Sequence, residues 1–417
     1  MAVYTFHELL ASLSITDTPV GYDPPVGSSV RFRVTYNQRE AGQPQTFTYS
    51  NLGHQWTHDW MSYVEDNPSA LGDPVVLYVR GGGSETYQGF ENNVSEPQLD
   101  TRAVMAITST NPIEYERRLP DGSVEIYAQP DGAATAPRKV FLTETLDPQG
   151  NAITFTYDGQ LRLVSVTDAI DQVTTLSYEM LENPSRITKV TDPFDRSAIF
   201  EYDEDEKLIA ITDVIGMTSE FTYGSGNFIR SMTTPYGTTT FRGGNFVLSY
   251  DRYLEATDPL GGTERVEYGD HANLLPSSDP PEDVPTGFAG KNNSLQVYVS
   301  VYWDKLAMSL AEGDPEKGLV TKWAFTGTWT VSNYHKITEK KPLENRVWYT
   351  HDGNQAADQV GPLGRPSRIA RVLDDGSSQI YRYEYNSRGN VTRSTDPVGR
   401  ETVYEYAPNE ELLSIGV

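Results

Sequence analysis

Cysteine is absent from the 417 residues. Disulfide stapling, thiolate chemistry and Cys-based zinc sites are therefore excluded. Basic residues are scarce: 33 Lys and Arg stand against 58 Asp and Glu, a formal net charge of -25. That balance argues against nucleic acid and against an anionic membrane surface, both of which need clustered cations. The ordinary meaning of such a charge is solubility. No run approaches the roughly 20 apolar residues of a membrane span. The first residues, Met1 to Pro19, lack a basic n-region, and Glu8 interrupts their apolar run, so they do not read as a signal peptide. P-loop, nucleophile-elbow and HExxH signatures are missing, which leaves no motif for phosphate, serine-nucleophile or zinc-protease chemistry.

What the chain has is tyrosine and a repeat. Its 26 Tyr outnumber 14 Phe and 6 Trp. Tyrosine suits strands that are apolar along one face and wet at one end. Segments beginning at Asp147, Asp168, Asp192, Asp213, Thr234, Asp258 and Asp396 align. Pro follows the first residue in five of them, and Gly150, Gly216, Gly237, Gly261 or Gly399 lies three residues on, with Asp171 and Asp195 there in the other two. Ten residues after the start come Tyr157, Tyr178, Tyr202, Tyr223, Tyr268 and Tyr406, and only the Thr234 unit departs, at Gly244. Tandem starts are 21 or 24 residues apart.

One unit can be read physically. Asp, Pro and Gly at those offsets predict a type I turn. Alternating large residues follow (Phe155/Tyr157, Leu176/Tyr178, Phe200/Tyr202, Phe221/Tyr223, Val266/Tyr268, Tyr404/Tyr406), which predicts a strand with one buried face. Five residues before each start is an apolar anchor: Leu142, Leu163, Ile187, Leu208, Ile229, Tyr253 or Val391. A single hairpin cannot bury its face, so successive hairpins must stack into one sheet. The expected fold is all-β, a large curved antiparallel sheet of stacked hairpins, with a short helix in an insertion.

The pattern resembles the YD repeat of Rhs proteins, teneurins and the B/C components of insecticidal Tc toxins. The residues carrying the resemblance are Tyr157-Asp158 with Arg162-Leu163 and Val166-Thr167-Asp168, and Tyr385-Asn386 through Asp396-Pro397-Val398-Gly399. The segment Asn51 to Trp60, with its Asn-Leu-Gly and two Trp, is similar to the opening of Rhs cores. The resemblance implies a spiralling β-shell, part of a secreted or cell-surface polymorphic-toxin polypeptide, that encloses or presents a C-terminal domain. It implies no catalytic residue, cofactor or metal ligand. The implied partner is the remainder of the same polypeptide. Suspected carbohydrate binding in Rhs repeats offers the alternative, a glycan or cell-surface partner, with Trp323 and Trp329 as stacking rings.

The chain divides by pattern into 1–140, a β-rich opening region; 141–269, repeats; 270–365, an insertion; and 366–417, further repeats, expected to continue in a longer polypeptide. The insertion predicts a loop over Pro276–Asn293 and a short helix over Tyr302–Glu312, with Trp303, Leu306, Ala307 and Leu310 on one face. Strand-like alternation follows over Lys322–Tyr334. Gly81-Gly82-Gly83 and Pro120-Asp121-Gly122-Ser123 predict hairpin tips. His54 and His58 lie four apart beside Trp56 and Trp60. No third ligand accompanies them, so an aromatic cluster is the expectation over a metal site. The acidic run Asp203–Glu206 lacks EF-hand spacing and is expected to be a solvated loop.

Overall fold

The structure is a computed structural model that describes residues 1–245, 252–271, 275–324, 335–351, 364–407 and 412–416. It is nearly all β, 49% strand and 4% helix. Among the described residues its main element is an antiparallel sheet of 27 strands. The period-two alternation produces this: in Ala152–Tyr157, Ile153 and Phe155 are buried while Thr154 and Thr156 are exposed. The same in-out pattern holds in Val173–Ser177 and Thr218–Tyr223. The chain forms two compact units, 1–5 with 13–240 and 6–12 with 241–417.

Val3–His7, Ser12–Tyr22, Val30–Asn37 and Trp56–His58 form a separate four-stranded sheet. The large sheet starts at Tyr63–Asp66. That strand pairs with Val75–Tyr78 on one side and with the first half of Arg138–Leu146 on the other. The second half of Arg138–Leu146 pairs with Ala152–Tyr157 and begins the repeat ladder. Both expected tips are present. Gly81–Gly83 closes the hairpin between Val75–Tyr78 and Ser84–Tyr87, and Asp121–Gly122 the one between Ile113–Arg118 and Val124–Pro130.

In the second unit the ladder runs through the insertion. Thr263–His271 pairs with Val297–Trp303, which pairs with Leu319–Trp323. Lys336–Lys340 and Val347–Thr350 follow, and the latter pairs with Arg368–Val372. The helix is shorter than the sequence predicts, Lys305–Leu310, because Tyr302 and Trp303 pair in the sheet with Val266 and Arg265 and the Asp304 side chain caps the helix on the Ala307 N–H. The expected apolar face is corrected accordingly. Only Ala307 of the helix is buried, and Leu306 and Leu310 are exposed. Of the alternation expected over Lys322–Tyr334, Lys322 and Trp323 end a strand; 325–334, with Trp329, lie outside the described residues.

Candidate functional site

The repeating hairpin is the chain's principal device, and three interactions build it. The first is the turn. At Asp147, Asp168, Asp192, Asp213, Asp258 and Asp396 the main-chain N–H donates to the carbonyl four residues on, and the N–H three residues on donates back. The fourth residue is left-handed: Gly150, Asp171, Asp195, Gly216, Gly261 and Gly399 have φ between 61° and 88°. This is a type I turn followed by a bulge residue, and it explains why Gly, or the tolerant Asp, stands there. Each Asp carboxylate accepts two N–H groups, at the second and fourth following residues, as at Gln149 and Asn151 from Asp147. At Asp147 the Asn151 side chain also donates, and these bonds hold its carboxyl below the usual carboxylate range. Thr234 makes a different turn. It pairs directly with Gly237, leaving Pro235-Tyr236 as a two-residue loop.

The second interaction is the tyrosine. Tyr157, Tyr178, Tyr202, Tyr223 and Tyr406 donate their hydroxyls to the carbonyls of Leu142, Leu163, Ile187, Leu208 and Val391, at 2.6–2.9 Å. These acceptors are the anchors identified in the sequence, always fifteen residues earlier. At Tyr157, Tyr202, Tyr223, Tyr385 and Tyr406 the ladder also slips by one residue. The slip is a β-bulge that sets the next anchor, for example Leu163, opposite the tyrosine. One ring thus ties three consecutive strands. Burial raises the hydroxyl pKa of Tyr157, Tyr178, Tyr202 and Tyr223 above the phenolic range, so they remain donors. Gly244 replaces tyrosine in the Thr234 unit beside the Tyr253 ring, which would lie 3.1 Å from any Cβ there.

The third interaction is the cover over the repeat face in the first unit. Phe32 packs edge-on against Phe200 at 5.6 Å, and Trp56 against Phe221 at 5.0 Å. The Trp56 indole N–H donates to the Tyr223 hydroxyl at 2.9 Å. The cover also accepts anchor N–H groups: Leu163 donates to Ser50 Oγ, Ile187 to the Asn51 carbonyl and Ile229 to the Tyr36 hydroxyl. Ser50, Tyr36 and Phe32 were not singled out from sequence. Phe32 and Tyr36 lie in the alternating stretch Arg31–Tyr36, which reads as a strand, and Ser50 precedes the Asn51–Trp60 signature.

Alternative chemistries fare as follows. His58 is wholly buried against Phe32, while His54 lies exposed against Phe47, so the pair does not converge on a metal. Among the described residues no group of three or more His, Cys, Asp or Glu is placed to hold a metal. Burial lowers the His58 pKa to about 3, so its ring is neutral. The two carboxylates on Arg117 are engaged, the half-buried Glu85 at 2.9 Å and the buried Glu125 at 2.9 Å. A cavity of about 30 Å³ beside Gly53, His54, Arg186 and Glu206 admits a water or two and no sugar. Trp323 is buried and donates its N–H to Ser300 at 2.9 Å, so it offers no open face for glycan stacking. Asp203–Glu206 closes a hairpin from Tyr202 to Leu208, as expected of a loop. Among the described residues no helix is long and apolar enough to cross a membrane.

Solved structures similar to this chain include TcdB2-TccC3-Cdc42, TcdB2-TccC3-TEV and the Photorhabdus luminescens Tc holotoxin pore. Each is 10% identical, with TM-scores of 0.36, 0.36 and 0.35. The alignments cover 97% of this chain and 23%, 24% and 22% of theirs, so the chain spans less than a quarter of their length. No family model and no curated protein matches.

Proposed function

We propose that this chain is a non-enzymatic structural repeat module of a bacterial Rhs-family secreted or cell-surface protein, forming part of a shell that encloses or presents a C-terminal toxin or effector domain. The observation that carries the reading is the repetition itself. The residues that stand out in the sequence, the turn Asp and the ring Tyr, make the same hydrogen bonds in unit after unit. A catalytic pair would be a singular departure from such a pattern, whereas an architectural role needs the same contact everywhere. The alternative, a carbohydrate- or cell-surface-binding module, loses Trp323 to the core and rests on Trp329 alone. The shell reading is tested by limited proteolysis of the longer polypeptide in which this chain occurs. The segment beyond the repeats is expected to survive protease while the repeats are folded, and to be cut at once in a Trp56→Ala, Tyr223→Phe variant. Equal cleavage in both would overturn enclosure.

A further inference from the structure

The anchors Leu142, Leu163, Ile187, Leu208 and Ile229 are all wholly buried. Four of them hand their main-chain N–H to residues 36–62: Leu142 to the Ser62 carbonyl, Leu163 to Ser50 Oγ, Ile187 to the Asn51 carbonyl and Ile229 to the Tyr36 hydroxyl. Leu208 holds the same place in its hairpin, yet among the described residues no atom of 36–62 accepts from it. Its carbonyl accepts the Tyr223 hydroxyl, and pairing with Thr218–Tyr223 begins only at Ala210. The N–H of a strand residue points to the same side as its carbonyl, so the Leu208 N–H faces Tyr223 off the ladder. There it meets the small cavity, which Leu208 lines together with Gly53, Trp56, Arg186 and Tyr223.

Arg186 brings a second donor to the same cavity. Its side chain is 5% exposed. One terminal nitrogen donates to Asn51 and the other to Glu206 at 3.2 Å, and the guanidinium lies over the Phe47 ring. Its Nε is buried and donates to no protein atom. A Cβ on Gly53 would stand 3.9 Å from that Nε, so glycine keeps the cavity open beside it. Burial lowers the Arg186 pKa although Tyr202 and Glu206 act to raise it, so the charge is incompletely neutralised. The other charged groups of the lining, Lys207 and Asp205, pair with each other at 3.4 Å, and Asp205 is 76% exposed and screened by water.

We propose that this cavity binds one halide-sized monovalent anion such as chloride, held by the Arg186 Nε–H and the Leu208 main-chain N–H. The ion takes the place that Ser50 Oγ and the Tyr36 hydroxyl take at the neighbouring anchors, and completes the neutralisation of Arg186. A volume of about 30 Å³ holds one such ion and excludes sulfate or phosphate. Exposed His54 and Asp205 in the lining give it access from solvent.

The test is the excess linewidth in chlorine NMR of chloride solutions containing the full chain. The expected result is broadening with a dissociation constant in the millimolar range, reversed by bromide and untouched by sulfate at equal ionic strength. Chloride should also move the His54 titration upward, because a negative charge beside the ring favours its protonated form. Arg186→Lys keeps the charge without the Nε–H and should abolish the broadening. Glu206→Gln removes the carboxylate that competes for Arg186 and should tighten binding about tenfold. Should Arg186→Lys fail to fold, Glu206→Gln decides alone. No excess broadening, broadening that Arg186→Lys leaves in place, or unchanged affinity in Glu206→Gln would overturn the inference. So would a bromide-soaked crystal with an ordered water at the Arg186 Nε.

Discussion

The repeats at 142–234 and those at 378–416 obey one sequence rule and live in different surroundings. In both, the turn Asp accepts the same two N–H groups, the tyrosine reaches the carbonyl fifteen residues back, and the ladder slips at the tyrosine. Yet the anchors Leu163, Ile187, Leu208 and Ile229 are wholly buried, whereas Val391 is half-buried and Leu412 is 49% exposed. Ile415, in the place that Val166 takes beside Phe155, is 57% exposed, against none for Val166. The earlier face is covered by Phe32, Tyr36, Ser50 and Trp56. The motif therefore builds the ladder, and the cover decides what the ladder's apolar face is worth. Hairpin geometry is local and satisfied by a few hydrogen bonds, while burial needs a second layer.

The comparison is broken most sharply at the cover. Trp56→Ala removes a buried indole and leaves a cavity, so unfolding of the first unit should become easier by about 3–5 kcal/mol. Hydrogen exchange should rise across 142–234 and stay unchanged over 378–406. A rise in both would show that the two regions are not energetically separate.

The tyrosine bond can be cut alike in each region. Tyr223→Phe strands the buried Leu208 carbonyl and the Trp56 N–H, and should cost about 1–3 kcal/mol in a denaturant melt. Tyr406→Phe removes the same bond where water can replace it, and should cost about 0.5 kcal/mol.

Acid should separate the regions as well. The folded His58 pKa, about 3, lies below the ordinary 6.5, so the unfolded chain takes up the proton first. The stability is complete above pH 6.5 and is lost as pH falls toward 3, by about 1 kcal/mol per unit. His58→Phe should flatten the pH dependence of unfolding of the first unit between 6.5 and 4.5. An unchanged slope would place the acid sensitivity elsewhere.

The turns offer a smaller contrast between the regions. Asp192→Ala removes a buried carboxylate that accepts from Phe194, Arg196 and the Arg196 guanidinium, and should cost about 1 kcal/mol. Asp396→Ala, its exposed counterpart, should leave the melting curve in place.

Much of this was legible in the residues. Asp-Pro-x-Gly at a constant offset specified the turn because φ and hydrogen-bond preferences act over four residues. Tyr at ten and an anchor at minus five located both ends of a hydrogen bond, although the bond itself was not foreseen. The helix was misread because Trp303, Leu306 and Leu310 fit a helical face on paper, while Trp303 and Tyr302 had sheet partners nearly forty residues away at Arg265 and Val266. Trp323 raised the same difficulty. An aromatic residue in a strand serves core or ligand equally well in sequence, and only its Ser300 contact placed it inside.

Strand period, turns, anchors and repeat length follow from the residues alone, because each is set by forces acting within one or two hairpins. The cover over the 142–234 repeats, the continuation of the ladder through the insertion and the burial of His58 against Phe32 emerge only from the folded chain. Those outcomes depend on contacts between residues as far apart as Tyr36 and Ile229. No local period encodes such a contact, because it forms only when a distant segment brings the complementary shape and the missing hydrogen-bond partner.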